Sequence, residues 1–547
     1  MQNRNRTANG GLALRALVGL GLVMVVIVIF SQARYGYEFF YSDAPRHALN
    51  GAFILDLVKA FPIHQPVQWA YNYYAQYPAL TILFYPPLYP AVLAVAYALF
   101  GISQASAVIV NALFYLALVV GVYRLASRYV AQLPALATAV VVGAAPEMAF
   151  WGRQIMTDVP ATTLLVWAAE LFLAYQATHR QRDLYLGAAL AVAAVWIKIT
   201  VCFLLPVMAI GVVLLDGRQA WRLRRNWIVF FGVCILMMPL IWLTLHFGQT
   251  NVQSVSGVPD GAASRTSISN WLWYARRLPE QLGWPATITI IIGLGAGLVR
   301  LARRRQLPWQ WGFLIAWVGI GYLFFSAIDL KDPRFTLPIL PPLALIGVWG
   351  VCHVFGRRQS WEYAVLAALA LATLVMTLVY RPPLYVSGYA QIVKEVSRRA
   401  PEQSNVVFSG YRDGAFVFAM RAIGDRPDVD TIRADKLLLS IAIRRSTGVE
   451  GKHLTRSEIA KQLTRQKAAY VVAQDDFWTD LVEMRRLQDV LHSDQFTPVK
   501  HYRMQTNFNA HDQAITVYRN NAKLPAERPA RSIDLPAINH TVSESSE

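Results

Sequence analysis

Apolar runs of roughly 18 or more residues recur along the first 380 positions, each closed by a short polar or basic stretch. That pattern predicts membrane-spanning helices. The first run, about 12–31, follows Arg4, Arg6 and Arg15. It is long for the core of a cleaved leader and lacks a good cleavage pattern, so it reads as a retained span with its N-terminus in the cytoplasm. A polar, aromatic loop follows from about 32 to 84. The next apolar stretch, 84–100, opens with Pro86, Pro87 and Pro90. The run after it, about 104–123, ends in Arg124 and Arg128, which belong on the cytoplasmic side. Alternation then requires that 86–100 not cross, and it is read as a juxtamembrane helix.

Further spans are expected at about 132–150, 160–177, 184–197, 201–215, 227–246, 285–300, 309–327, 335–355 and 361–380. The main basic clusters fall on one side of this arrangement: His179, Arg180 and Arg182; Arg218, Arg222, Arg224 and Arg225; Arg300, Arg303, Arg304 and Arg305; Arg357 and Arg358. The expectation is a multi-pass α-helical membrane protein with about 11 transmembrane helices. From residue 382 the pattern changes. Charge rises, and short β-branched runs appear at Asn405–Phe408, Ala469–Val472 and Ala514–Tyr518, with amphipathic stretches such as 453–466 between them. This predicts an α/β domain over 382–521, extracytoplasmic by the alternation, after a membrane domain over 1–381 whose outer loop and juxtamembrane part covers about 32–103. Residues 522–547 are rich in Pro, Ser and polar side chains and read as a disordered tail.

Composition agrees with the membrane reading. Of 547 residues, 55% are hydrophobic and 15% charged, against about 25% charged in soluble proteins. The formal charge of +18 sits in short anchors between apolar runs, which argues against nucleic acid. Cys202, Cys234 and Cys352 all lie inside apolar runs and form neither a disulfide framework nor a CxxC pair.

Candidate chemistry gathers at the outer ends of the spans: Asp43, Arg46, His47, Arg153, Asp158, Lys198, Asp329, Lys331, Asp332 and Arg334. Each has a bland alternative. Asp43, in Tyr41-Ser42-Asp43-Ala44-Pro45-Arg46-His47, is a helix cap or a carboxylate facing a cavity. Asp158 is a cap, a partner of Arg153, or a reactive group. Lys198 snorkels or waits for an anion. Arg334 pairs with Asp329 or Asp332, or grips a phosphate with both arms of its fork. Trp69, Tyr71, Tyr73, Tyr74, Tyr77, Tyr85 and Tyr89 form an interfacial belt or the wall of a sugar site. His47 and His64 lack the spacing of a convincing metal pair.

The order of three segments resembles a known family. Tyr-Pro-Pro-Leu-Tyr-Pro at 85–90 follows an outer loop with an early aspartate. Arg-Gln-Ile-Met-Thr-Asp-Val-Pro stands at 153–160 and Lys-Asp-Pro-Arg-Phe-Thr-Leu-Pro at 331–338, and an extracytoplasmic domain closes the chain. Over about residues 12–380 this is similar to the bacterial GT-C glycosyltransferases related to protein O-mannosyltransferases and lipid A aminoarabinose transferase. The resemblance implies an enzyme of the bacterial inner membrane. It would transfer a sugar from a polyprenyl-phosphate donor to a lipid, glycan or protein acceptor, with inversion. It maps catalytic roles onto Asp43 and Asp158, and donor-phosphate binding onto Lys198, Arg334, Arg153 and Lys331, with His47 and Tyr85 at the substrate. No cofactor follows from it, and a divalent metal stays open. Many relatives carry a second acid at the first site, where this chain has Ala44, which leaves a lone carboxylate there. The rival expectations are a lipid or solute transporter or flippase, and a membrane receptor with a C-terminal binding domain.

Overall fold

The computed structural model describes residues 2–248, 265–303, 308–356, 358–441, 445, 448–508, 513–529, 532–535 and 540–543. Arg304, Arg305 and Arg357 lie outside the described residues. The first half is a succession of helices: α1 (Gln2–Phe30), α2 (Asp43–Ala60), α3 (Pro66–Gln76), α4 (Leu88–Phe100), α5 (Gln104–Ala126), α6 (Gln132–Gly143), α7 (Pro146–Gly152), α8 (Asp158–Thr178) and α9 (Gln181–Ile197). Long helices follow at Arg224–Phe247, Trp284–Ala302, Trp309–Ala327, Leu340–Phe355 and Gln359–Tyr380.

Among the described residues seven helices are long and apolar enough to cross a membrane, and the pair α6 and α7 makes an eighth if it is one bent span. This is fewer than the eleven crossings expected. The other three expected spans fall on α8, which carries the buried acids Asp158 and Glu170, on α9 with only 17 residues, and on Ile199–Leu214, which begins with a 3-10 turn. The bend of 60° between α6 and α7 sits just before Pro146, whose ring removes a backbone donor from the helical ladder. Helices Trp284–Ala302 and Leu340–Phe355 touch at glycines. A Cβ on Gly293 would stand 2.1 Å from the Ile346 carbonyl oxygen, so only Gly permits this approach.

The two buried acids of α8 are paired with cations, as burial demands. Glu170 accepts from Arg128 at 2.7 Å and Arg124 at 3.4 Å in the middle of α8, and Asp158 pairs with Lys198 at its start.

The C-terminal part is built on a five-stranded mixed sheet. Its order is Asp430–Arg433, Asn405–Ser409, Ala468–Ala473, Ala514–Asn520, Phe496–Arg503, with the first three parallel and the last two antiparallel. Alternation along the strands splits the core in two. Val406, Phe408, Tyr470 and Val472 join a cluster continuous with the helical bundle, whereas Val407, Val471 and Ala473 face a separate cluster on the far side. The inner face packs the helix Asp413–Ala419 onto α2. The stretch read from the sequence as a disordered tail contains ordered contacts: Lys467 donates to the Ala526 carbonyl at 2.6 Å, Arg528 pairs with Asp430 at 2.6 Å, and Ser532–Leu535 pairs with His540–Ser543. The contacts of Lys467 and Arg528 are long-range, and composition alone does not register them.

Candidate active site

Four interruptions of helical structure meet at one end of the bundle. The first is the start of α2. Ser42 precedes the helix without a side-chain cap bond, and Asp43 is its first residue, with Pro45 pre-set for the first turn. The second is the start of α8, where Thr157 likewise makes no side-chain cap bond and Asp158 is the first helical residue. Neither aspartate is therefore a capping residue; both carboxylates stand at the positive end of a helix dipole and turn to other partners. The third is the extended residue Lys198, φ −150° and ψ 116°, between α9 and the next 3-10 turn. The fourth is Asp332, whose carboxylate accepts from the Arg334 backbone N–H at 3.1 Å and so starts the turn Pro333–Ile339.

Arg334 is the hub. Its Nη1 lies 3.6 Å from Asp43 Oδ2, and its Nε lies 3.2 Å from Asp332 Oδ2. The guanidinium carbon stands 4.7 Å from the centre of the Tyr41 ring, 5.2 Å from Trp151 and 5.6 Å from Phe335, a cage that favours a delocalised cation over a compact ammonium. Lys198 Nζ pairs with Asp158 and lies 5.3 Å from the Phe335 ring. The second Asp158 oxygen is buried and makes no hydrogen bond among the described residues. Two cations and three carboxylates thus share one aromatic-walled space. Burial raises the Asp332 carboxyl above its ordinary range, although Arg334 pulls the other way. Burial also pushes Lys198 below the usual lysine range, against the pull of Asp158.

His47 lies one turn along α2 and is fully buried, with its ring 4.4 Å from that of Tyr85 and 6.0 Å from Tyr89. Burial lowers its pKa to about 4, so the imidazole is neutral at pH 7. It has no exposed surface and packs against Tyr85 and Tyr89 beside the start of α2. Tyr89 donates to Asn111 at 2.7 Å and belongs to the packing too.

Of the expected cluster, Asp43, Asp158, Lys198 and Arg334 come together. Arg153 and Lys331 do not. Arg153 is buried and spends its guanidinium on the Ala149 carbonyl at 3.0 Å, Gln32 at 2.9 Å and the Arg381 carbonyl at 2.6 Å. Lys331 caps the Trp309–Ala327 helix, donating to the Ser326 carbonyl at 2.6 Å. Asp329 pairs with Arg265 at 2.7 Å and Arg46 faces Asp413, not the cluster. Tyr41, Trp151 and Phe335 are site residues that sequence reasoning passed over; their only signal is adjacency to Asp43, Arg153 and Arg334. Among the described residues no group of three or more His, Cys, Asp or Glu side chains is arranged to hold a metal ion. The Asp43 and Asp332 carboxylates face Arg334, and Asp158 pairs with Lys198.

Residues 85–243 match the family model described as dolichyl-phosphate-mannose-protein mannosyltransferase. No curated protein matches the chain by sequence. Among solved structures, ArnT from Cupriavidus metallidurans in the apo state aligns with a TM-score of 0.63 at 14% identity, over 92% of this chain and 98% of that one. The ArnT structure bound to undecaprenyl phosphate gives 0.59 at 13% identity, over 93% and 98%. The Archaeoglobus fulgidus oligosaccharyltransferase gives 0.52 at 12% identity, over 83% and 68%. The resemblance to GT-C glycosyltransferases thus holds in three dimensions, and the chain has the ArnT-like GT-C fold.

Proposed function

We propose that the chain is an integral-membrane glycosyltransferase. It takes a sugar from a polyprenyl-phosphate donor and passes it to a hydroxyl of a lipid, glycan or protein acceptor on the extracytoplasmic face of the bacterial inner membrane. The observation that carries this reading is the pairing of two helix-start carboxylates with two cations, Asp43 with Arg334 and Asp158 with Lys198, in one aromatic-lined space. The ArnT-like fold supports it, as does the undecaprenyl phosphate in one of the similar structures. The basic clusters between the spans support eleven crossings with a cytoplasmic N-terminus and the C-terminal domain outside.

The chemistry follows from the residue types. The bond from the sugar's anomeric carbon to the phosphate oxygen breaks, and its electron pair leaves on the phosphate. That group departs without an acid but needs its growing charge stabilised, which Arg334 and Lys198 supply from fixed positions. The acceptor oxygen attacks the opposite face, so the anomeric centre inverts, and its proton passes to Asp43. The resting pairs couple the two events. An arriving phosphate competes with Asp43 for Arg334, and the loose contact at 3.6 Å is the one most readily exchanged. Donor binding therefore frees the base. Asp158 stays on Lys198 and keeps that ammonium oriented, and Tyr85 forms part of the sugar wall.

The test uses purified protein with polyprenyl-phosphate sugars and measures released polyprenyl phosphate. Wild type turns over, and Asp43→Asn, folded to the same extent, loses about 10²–10⁴ in rate. Full turnover by Asp43→Asn removes the base assignment. Lipid crossing a vesicle bilayer with no donor consumed replaces the whole reading with a flippase.

A further inference from the structure

A second polar site lies at the far end of α2. Asp56 is 13 residues beyond Asp43 on the same helix, about 20 Å away at 1.5 Å per residue. There a cleft of about 550 Å³ opens between α2, α3 and the edge of the C-terminal sheet, within the range of about 300–1,000 Å³ typical of ligand sites. Asp56 accepts from Arg421 Nε and Nη2 at 2.8 and 2.7 Å, and from the Tyr73 hydroxyl at 2.8 Å. Arg528 pairs with Asp430 at 2.6 Å across the cleft lining. With Lys59 and Asp425 the lining holds three acids and three bases, so it has no net formal charge. Trp69 adds a half-buried ring, tilted 33° to that of Tyr73 with centroids 5.3 Å apart, and Asn72 adds an amide.

We propose that this cleft binds a neutral saccharide. A balanced lining gives no net attraction to a phosphate or an ammonium ion. It does alternate fixed acceptors (Asp56, Asp430) with fixed donors (Arg421, Arg528, Asn72), and sugar hydroxyls are both donors and acceptors. The Trp69 face suits the C–H face of a pyranose ring. The ion pairs hold the polar groups in place before any ligand arrives, so little ordering is lost on binding. In its wider role, which rests on the glycosyl-transfer reading, the cleft holds the distal units of an extended acceptor glycan whose reacting end lies at Asp43.

Binding is measured on the full-length protein in detergent by saturation-transfer NMR, with mannotriose, maltotriose, cellotriose and xylotriose as probes and sodium phosphate as competitor. At least one trisaccharide gives saturable transfer that phosphate does not displace. Trp69→Ala and Asn72→Ala, with unchanged thermal unfolding, each weaken it about tenfold. No transfer from any of the four probes, displacement by phosphate, or unchanged binding in both variants overturns the proposal. None of these measurements needs turnover, so their failure is distinct from failure of the reaction assigned to Asp43.

Discussion

Removing the fork of Arg334 tests the anion site most directly. Two carboxylates lie 3.6 and 3.2 Å from its nitrogens. At an effective dielectric of about 20, each contact is worth about 5 kcal/mol before desolvation is charged against it. Taking one partner out of such a buried cluster costs about 3–5 kcal/mol, because the remaining charges are left uncompensated. In Arg334→Gln, Asp43, Asp158 and Asp332 would share the single cation Lys198. The variant is expected to unfold earlier by that amount. Turnover per folded molecule should fall about 10²–10³-fold, the usual loss on deleting one preorganised donor to a developing charge. Arg334→Lys separates charge from shape. It restores the cation and most of the stability, yet the compact ammonium cannot span both arms or lie flat in the cage of Tyr41, Trp151 and Phe335. Its turnover should stay at least tenfold below wild type. The assay is release of polyprenyl phosphate, normalised to folded protein by thermal unfolding. Wild-type turnover in Arg334→Gln refutes the anion site, and wild-type turnover in Arg334→Lys refutes the argument from the fork.

Other expectations concern the frame around the site. Asp413 is buried between Arg46 at 2.9 Å and Arg433 at 2.7 Å. Asp413→Asn leaves Arg46 uncompensated and should cost about 3–5 kcal/mol in thermal unfolding. Burial pushes the Asp413 carboxyl up, but Arg433 and Arg46 outweigh it and hold the group below the usual carboxylate range. Its contribution is therefore complete above the unfolded value of about 3.9 and is lost as pH falls through the folded one. Unfolding curves taken below about pH 4 should steepen for wild type and flatten for the variant; equal slopes would contradict this. Gly152→Ala would place a Cβ 2.4 Å from the Tyr115 ring, and the overpacking should cost about 1–3 kcal/mol. An unchanged melting temperature would show that α5 and α7 can shift apart. Lys331→Met should lose about 1 kcal/mol as carbonyls go unpaired while turnover per folded molecule stays within about twofold. A large rate loss would return Lys331 to the donor site.

The helical bundle was legible because lipid imposes a simple rule on sequence. A segment must be apolar over a known length, and the expected spans fall on helical segments, although 132–150 is bent between α6 and α7 and 201–215 and 335–355 begin in 3-10 turns. What sequence does not carry is azimuth. Arg153 and Lys331 stand as close to span ends as Lys198 and Arg334 do. The first turns back onto the Ala149 carbonyl of the helix it follows, and the second onto the end of the helix before it. Lys198 and Arg334 sit at local breaks, the first itself an extended residue and the second inside a 3-10 turn. The signal that separates the pairs is therefore the breaking of the helix beside the cation, which Pro333 and Pro338 announce for Arg334 and nothing announces for Lys198.

The aromatic loop shows the other limit. Read as a belt at the lipid interface, it supplies Tyr73, Tyr77 and Tyr89 as buried packing instead: Tyr89 bonds Asn111 of α5, and Tyr73 shares Asp56 with Arg421 of the C-terminal domain. The bonds that fix that cover join Arg46 to Asp413 and Asp56 to Arg421, across 367 and 365 residues of chain. Both originate on α2, whose 18 residues make a rod of about 27 Å. The same rod begins at Asp43. A helix held by ion pairs to helical segments of the C-terminal domain near Asp43 and again toward its far end cannot tilt without breaking one of them. The carboxylate at its start is therefore positioned by the C-terminal domain as much as by the spans, and a lone residue in a loop motif is fixed by contacts that lie beyond the reach of any local pattern.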